Sequence, residues 1–201
     1  MPSRVKIDPQ TPWLLWHNQG VSAPRSTTPS GRRPAPPPLD AAALDRLALR
    51  YVERFATSRG KLTQYLARKI RERGWDGEAV DPATVAQRMA DAGYVDDRGF
   101  ADQKGAALAR RGYGARRIAE TLRAAGLDEE DRAPAVAEAR GAALESALRL
   151  ARRKRIGPFA TVRPDPRDRE RHLAALLRAG HDLATARRVV DAAPGEVPEA
   201  E

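Results

Sequence analysis

Three glycines at nearly equal spacing constrain the fold of this chain more than any other feature of its sequence. Gly74, Gly126 and Gly180 are 52 and 54 residues apart. Each follows a segment whose apolar residues recur with helical spacing, and glycine commonly ends a helix because it adopts left-handed backbone angles without strain. A repeat of about 50 residues with three helical segments per copy predicts an all-α protein, an elongated array in which each repeat packs on its neighbour. An apolar residue stands four positions before each glycine, at Ile70, Leu122 and Leu176.

Composition divides the chain into two tails and three predicted repeats. Residues 1–38 are rich in proline, which together with glycine and serine predicts disorder. Trp13 and Trp16 form an apolar cluster in this tail, either as a short docking motif or as a cluster without function. We predict helical repeats over residues 39–95, 96–140 and 141–193, and a disordered C-terminal tail over residues 194–201.

Residues that start or end helices support this division. Ser58 is a suitable N-cap, and Asp81 followed by proline is typical of another helix start. Gly93 is positioned to end the third helix of the first repeat. In the second repeat a helix is predicted from about Glu129 to Ala139. Pro134 is expected to shorten or kink this helix, because proline lacks a backbone N–H and its ring clashes with the preceding turn.

The charge of the chain indicates a polyanionic partner. Lysine and arginine number 36 against 27 acidic residues, which gives a net charge of +9 and a pI near 10.5. This balance favours nucleic acid, an anionic surface or an acidic protein, although an arginine-rich coding bias would give the same charge. The sequence has no cysteine and no apolar run of membrane-spanning length. We therefore expect no disulfide, no membrane contact and a cytoplasmic location.

The sequence contains no recognisable catalytic or metal-binding constellation. The histidines His17, His172 and His181 lack the spacing to other ligands that a metal site needs. Asp96 and Asp97 are adjacent carboxylates between two predicted helices, where capping of a helix start is far commoner than catalysis. We therefore expect a protein that is not an enzyme and uses no cofactor.

Basic residues cluster once in each predicted repeat. If the clusters occupy equivalent positions, they form a basic stripe along the array that is able to follow a phosphate backbone or an acidic groove. Arginines on any exposed helix face would give the same pattern, and no base-reading motif accompanies them. The candidate residues for binding a partner or DNA are Arg68, Lys69, Arg71 and Arg73 in the first repeat, Arg110, Arg111, Arg116 and Arg117 in the second, and Arg152, Arg153, Lys154 and Arg155 in the third.

Two motifs around the start of the second predicted repeat carry a family resemblance. The first is Gly93-Tyr94-Val95-Asp96-Asp97-x-x-Phe100-Ala101. The second is Arg111-Gly112-Tyr113-Gly114-x-x-Arg117-Ile118, followed by Leu122-Arg123-x-x-Gly126-Leu127. In this order and spacing the chain resembles the RecX family of bacterial regulatory proteins over roughly residues 41–193. The resemblance implies three tandem three-helix repeats in a curved array and brings no catalytic residues with it.

The resemblance also implies a partner. Family members lie along the helical groove of the filament that RecA recombinase forms on DNA, and they restrain its growth, ATP hydrolysis, strand exchange and coprotease activity. We therefore expect a monomeric regulator of RecA that contacts single- or double-stranded DNA weakly. The alternative is a sequence-nonspecific nucleic-acid-binding protein that acts without RecA. A nuclease that uses Asp96 and Asp97 is a distant third.

Two positions depart from the family pattern. Pro134 falls in a helix that the family normally keeps intact, and His181 stands where an aromatic residue usually follows the glycine. We expect Tyr94 and Phe100 to be packing residues rather than contacts to a partner. The residues that carry the match are Gly93, Tyr94, Asp96, Asp97, Phe100, Gly112, Tyr113 and Gly126.

Overall fold

The computed structural model describes residues 36–199, and over this range the chain is built from α-helices. The all-α prediction is therefore confirmed for this part of the chain. A short three-ten helix, Gly157–Phe159, stands between the seventh and eighth helices. The helices are α1 Ala41–Val52, α2 Arg59–Arg73, α3 Pro82–Asp91, α4 Asp97–Arg110, α5 Ala115–Ala124, α6 Glu129–Gly141, α7 Ala143–Lys154, α8 Pro166–Arg178 and α9 Leu183–Val190.

The helices pack in three groups, each with its own apolar core. The first helix group (α1–α3) is centred on Leu44, Leu62 and Leu66, all fully buried. The second helix group (α4–α6) buries Ile118 and Leu122, and the third (α7–α9) buries mostly alanine, leucine and valine. We propose that each helix group is one repeat, with the boundaries predicted from the sequence.

Aspartate and serine side chains begin most of these helices. In six of them the residue before the helix accepts a hydrogen bond from a backbone N–H two or three positions later, which satisfies one of the free donors of the first turn. The predicted caps Ser58 and Asp81 are confirmed. The capping residues are Asp40, Ser58, Asp81, Asp96, Asp165 and Asp182.

The three evenly spaced glycines follow the middle helix of each group, as predicted. Gly74, Gly126 and Gly180 all have positive φ, at 82°, 74° and 92°. A side chain at these angles would be strained, so glycine lets the chain turn away directly after α2, α5 and α8.

Successive groups are joined through the ends of their middle helices. The first junction places the start of α2 on the end of α5, where the Ser58 hydroxyl donates to the carbonyl oxygen of Ala125 at 2.5 Å. The second junction places the start of α5 on the end of α8, where the amide of Gly114 donates to the carbonyl oxygen of Ala179 at 2.9 Å. At both junctions the free amide end of one helix therefore meets the free carbonyl end of the next.

The end of α2 has no preceding helix group within residues 36–199, and an extended segment covers it instead. The amide of Leu39 donates to the carbonyl oxygen of Gly74, and the amide of Asp76 donates to that of Leu39. The guanidinium of Arg73 donates to the carbonyl oxygen of Pro37. The main chain before α1 thus satisfies the carbonyl group of Gly74 at the end of α2, and it accepts hydrogen bonds from Arg73 and Asp76 in return. Trp13 and Trp16 lie outside the described residues.

Pro134 does not shorten its helix, so that part of the prediction was wrong, and a kink stays a prediction. Helix α6 continues through Pro134 to Gly141, beyond the predicted end. Proline removes one hydrogen bond near the start of this helix, but Ala135, Val136 and Ala139 are buried in the second core. Packing of this apolar face holds the helical conformation in spite of the missing N–H.

Candidate partner-binding surface

The Gly93–Phe100 motif forms the connection from α3 to α4. Gly93 has a φ of 78°, and the Asp96 carboxylate accepts a hydrogen bond from the amide of Gly99 at 2.8 Å. Asp96 is thus a helix cap, as predicted. Phe100 is half-buried and packs against the second core, whereas Tyr94 is 55% exposed. The prediction that Tyr94 is a packing residue was wrong, because the turn after Gly93 directs it away from both neighbouring cores.

Asp97 caps a different helix from its neighbour Asp96. Its carboxylate is 7% exposed and accepts hydrogen bonds from the backbone amide of Arg59 at 2.8 Å and from Nε of the same arginine at 2.6 Å. The adjacent aspartates of the motif therefore cap the starts of two helices in two groups. The hydrogen bond to Asp97 raises the pKa of the Arg59 guanidinium.

Arg59 is the centre of the polar network at the first junction. Its guanidinium also reaches Asp131 at 3.1 Å, Asp128 at 3.4 Å and the side-chain oxygen of Gln87 at 3.0 Å. The arginine belongs to the first group and its aspartate partners belong to the second. Because the Arg59 side chain is 32% exposed, water and salt screen this network more than they would a fully buried one.

The Gly112–Arg117 motif forms the second junction. The amide of Arg116 donates to the carbonyl oxygen of Gly180 at 3.2 Å, and its guanidinium donates to that of Leu177 at 2.6 Å. Tyr113 packs against the cores of both the second and the third groups. Arg116, predicted as a partner contact, is therefore already engaged within the protein, where its cation faces the carbonyl end of α8.

A buried histidine and a cavity complete the second junction. His181 is 2% exposed, and its Nε2 donates to the carbonyl oxygen of Gly112 at 3.1 Å. Its Nδ1 is buried without a hydrogen-bond partner among the described residues. Burial lowers the pKa of His181, against the opposing effect of the Gly112 hydrogen bond. Beside it lies a cavity of about 530 Å³ whose walls include Arg116, Arg140 and Asp182.

The basic clusters do not occupy equivalent positions in the three groups. Arg68, Lys69 and Arg71 lie in the second half of the middle helix α2. The other two clusters surround the end of the first helix of their group: one spans the connection from α4 to α5, and the other ends α7. The first group therefore does not meet the condition for a continuous basic stripe, because its cluster lies toward the end of the middle helix and not before its start.

Most of the candidate basic side chains are exposed. Arg110, Arg111, Arg153 and Lys154 are exposed, as is Arg155, whose φ of 55° places it in the left-handed turn that ends α7. Arg152 lies over the ring of Phe159, Arg117 lies 3.7 Å from Glu120, and Arg68 and Lys69 share Glu72. Lys69 chiefly lowers the pKa of Glu72 through its hydrogen bond. The exposed cations are thus distributed over all three helix groups.

Sequence reasoning missed the residues that join the groups. Arg59 and His181 were not recognised as junction residues, and neither were the glycines at the starts of α2 and α5. A Cβ on Gly60 would lie 2.5 Å from the Cα of Gly126, and a Cβ on Gly114 would lie 2.4 Å from the carbonyl of Gly180. Small residues at the starts of two successive middle helices were the available signal.

The described residues contain neither a cluster of metal ligands nor a helix that could span a membrane. Over residues 36–199 no group of three histidine or acidic side chains is arranged to hold a metal ion. None of the helices in that range is both long and apolar enough to span a membrane. Exposed cations are present on each of the three helix groups.

Comparison with known proteins agrees with this architecture, although no protein-family model matches the chain. A regulatory protein RecX of Myxococcus xanthus strain DK1622 is 36% identical over 162 residues, covering 75% of this chain and 86% of that protein. A regulatory protein RecX of Mycobacterium sp. strain KMS is 31% identical over 166 residues, covering 81% and 90%. A crystal structure of a regulatory protein RecX has the same fold, with a TM-score of 0.53, 20% identity and coverage of 75% and 74%. The chain belongs to the RecX family of regulatory proteins.

Proposed function

We propose that this protein binds RecA–DNA filaments and inhibits the ATPase, strand-exchange and coprotease activities of RecA. Family membership and the two motifs support a regulatory role of this kind. On this proposal the protein acts as a cytoplasmic monomer that restrains homologous recombination, DNA repair and the SOS response. Its contacts with single- or double-stranded DNA are weak.

The arrangement of the helix groups is the observation that carries this proposal. The groups are joined in series by two junctions of the same design, so exposed cations are spread over three groups instead of lining one pocket. A repetitive filament offers the same surface many times. Several weak contacts made at once by one chain reinforce each other, because after the first contact the others become intramolecular.

We propose that regulation occurs by binding and not by catalysis. The two aspartates that a nuclease would use are both committed to helix starts, Asp96 at α4 and Asp97 at α2. Asp97 is also held by Arg59, which leaves its oxygens occupied. Asp97 could hold a divalent metal only with loss of a junction contact, and Asp96 already uses one of its two oxygens as a cap.

The test is RecA's ATPase on single-stranded DNA, with the protein titrated below one molecule per RecA. We expect inhibition at substoichiometric amounts. Replacement of the exposed Arg153 and Lys154 by alanine should weaken inhibition while the helical circular dichroism signal is retained. The matched control is the double variant Arg163→Ala and Arg167→Ala, which removes the same charge outside the predicted clusters. An equal loss of RecA inhibition in both double variants, or no inhibition by the wild-type protein, would contradict the proposal.

A second function is favoured by the net charge of +9 alone. A nucleic-acid-binding protein that acts without RecA would bind DNA through phosphates with little sequence preference. Its affinity should fall by about 0.7–0.9 log units per phosphate contact for each log unit of salt. Steeply salt-dependent DNA binding together with unchanged RecA ATPase would favour this function over the first.

A further inference from the structure

Three aromatic side chains form a continuous row on the first helix group. The ring of Tyr51 stacks on that of Tyr65, with centroids 4.2 Å apart, and is tilted against that of Phe55 at 5.2 Å. Tyr51 and Phe55 are four residues apart, so they share one side of the chain at the end of α1, and Tyr65 comes from α2. We call Tyr51, Phe55 and Tyr65 the aromatic row. The chain has only ten aromatic residues, so a row of three is a marked concentration.

The core of the first group does not account for this row. Tyr51 and Tyr65 pack partly against that core, but Phe55 is not among the side chains that contact it. Phe55 is 52% exposed and continues the row into solvent. Exposure of a phenyl ring costs free energy that a core position would recover, and exposed aromatic side chains in clusters commonly mark binding sites.

Cations surround the aromatic row. The guanidinium of Arg54 lies 5.7 Å from the ring centroid of Phe55, and Arg68 and Lys69 lie 5.6 Å and 5.9 Å from that of Tyr65. Residues 41–73 contain nine lysines and arginines against three acidic residues. One of those acids, Asp45, is paired with Arg88 of α3. The surface that carries the row is therefore basic, with three cations within 6 Å of its ring centroids, two of which, Arg68 and Lys69, also pair with Glu72.

We propose that the aromatic row is a binding site for single-stranded DNA, with a base stacked on Phe55 and the flanking phosphates bound by Arg54 and Arg68. Aromatic rings combined with cations bind single strands because every base has a face that stacks, whereas the bases of a duplex are already stacked on each other. This proposal rests on the proposed function and deepens it, since it names the class of DNA and the helix group that contacts it.

The experiment measures binding of the full-length protein, without RecA, to labelled DNA at one fixed low salt concentration. Three probes of equal length are used: an oligothymidylate, an oligonucleotide that has the same phosphates but no bases, and a duplex. Wild-type protein should bind the oligothymidylate about tenfold more tightly than the abasic strand, equivalent to about 1.4 kcal/mol, and more tightly than the duplex. Phe55→Ala should abolish the difference between the two single strands, and Phe55→Trp should restore it.

The matched control is Tyr94→Ala, which removes an aromatic side chain of similar exposure, 55%, from the connection between α3 and α4. It should leave the preference for bases unchanged. Equal affinity of wild-type protein for the oligothymidylate and the abasic strand would overturn the proposal, because phosphates alone would then explain binding. An equal loss of the preference for the oligothymidylate over the abasic strand in Phe55→Ala and Tyr94→Ala would also overturn it.

One further outcome identifies another occupant of the row. No binding to either single strand, with RecA ATPase still inhibited in a Phe55-dependent manner, would assign the row to a protein partner. That result overturns the proposal of a DNA site and leaves the proposed function intact.

Discussion

The first and second junctions have the same geometry but different chemistry. The first is held by the Arg59 network, in which a partly exposed guanidinium meets carboxylates of the next group. The second is held by backbone hydrogen bonds from Gly114 and Arg116 and by the buried His181. At both junctions the close contact of two backbones fixes the relative position of the helix ends. The surrounding side chains determine whether salt or acid weakens the junction.

This difference predicts which condition acts on which junction. Screening by salt reduces the attraction between Arg59 and its carboxylate partners, but it has little effect on amide–carbonyl bonds between uncharged groups. Acid should act mainly on the second junction, because the titratable His181 is buried there. We therefore expect the connection between the first two helix groups to be sensitive to salt and the connection between the last two to be sensitive to protons.

The largest expected effect comes from a methyl group added at either junction. In Gly114→Ala the new Cβ would lie 2.4 Å from the backbone of Gly180, and in Gly60→Ala it would lie 2.5 Å from Gly126. Backbone atoms have no rotamer to change, so the helix ends must separate. We expect Gly114→Ala to cost about 3 kcal/mol and Gly60→Ala about 2 kcal/mol, because alanine in α2 also adds helix propensity.

Thermal unfolding measures these costs, as a Tm lowered by about 2–4 °C per kcal/mol for a chain of this size. Gly141→Ala is the matched control, because Gly141 ends α6 with no atom within 4 Å of the added Cβ. It should leave the Tm unchanged or raise it slightly. If the Tm of Gly114→Ala is no lower than that of Gly141→Ala, the second junction is not a close contact of backbones.

A smaller effect is expected from Asp97→Asn. The amide oxygen can still accept from the Arg59 backbone, but the charge that pairs with the guanidinium is lost. We expect a cost of about 1.5 kcal/mol, reduced from that of a fully buried pair because Arg59 is one-third exposed. The cost should shrink as salt is raised in a urea or thermal unfolding series, since salt already weakens the wild-type pair.

The neighbouring aspartate provides the control for this prediction. Asp96→Asn keeps a side-chain oxygen for the amide of Gly99, and asparagine caps a helix about as well as aspartate. We expect its Tm to remain within the error of the wild-type value at every salt concentration. A salt-independent loss in Asp97→Asn, or equal losses in both variants, would show that the Arg59 pair does not hold the first junction.

The sequence was sufficient for the helices because their signals are local. Ser58, Asp81 and the three spaced glycines act within a few residues of their own positions, so the starts and ends that they mark can be found without a structure. Pro134 was misjudged for the opposite reason. Its local penalty is real, but the burial of α6 against the rest of its group outweighs it.

The junctions could not be predicted, since they join residues far apart in the chain. Asp97 and Arg59 are 38 positions apart, and Gly112 and His181 are 69 positions apart. No periodicity links such pairs. The adjacent aspartates therefore looked alike in sequence, although one caps its own helix and the other caps a helix of another group. For the same reason Arg116 was predicted as a partner contact when its guanidinium binds Leu177.

The smallest expected effect concerns acid and the second junction. Burial lowers the pKa of His181 below its ordinary value of 6.5, so the folded protein binds a proton there less readily than the unfolded chain does. The stability that depends on neutral His181 is therefore fully present above about pH 6.5 and is lost as the pH falls toward the lowered folded-state pKa. Arg116 and Arg140 line the same cavity and oppose protonation of His181, whereas Asp182 favours it.

His181→Gln isolates this contribution, because glutamine can donate to the carbonyl oxygen of Gly112 but does not titrate. We expect the wild-type Tm to fall by a few degrees between pH 7 and pH 5, and the variant to lose less over that range. Asp182 does not confuse the result, since its pKa is lowered from 3.8 and its stabilisation is lost only in stronger acid. If the Tm of wild type and variant falls in parallel as the pH is lowered, His181 does not make the second junction sensitive to protons. The two junctions would then differ only in the salt response of the Arg59 network.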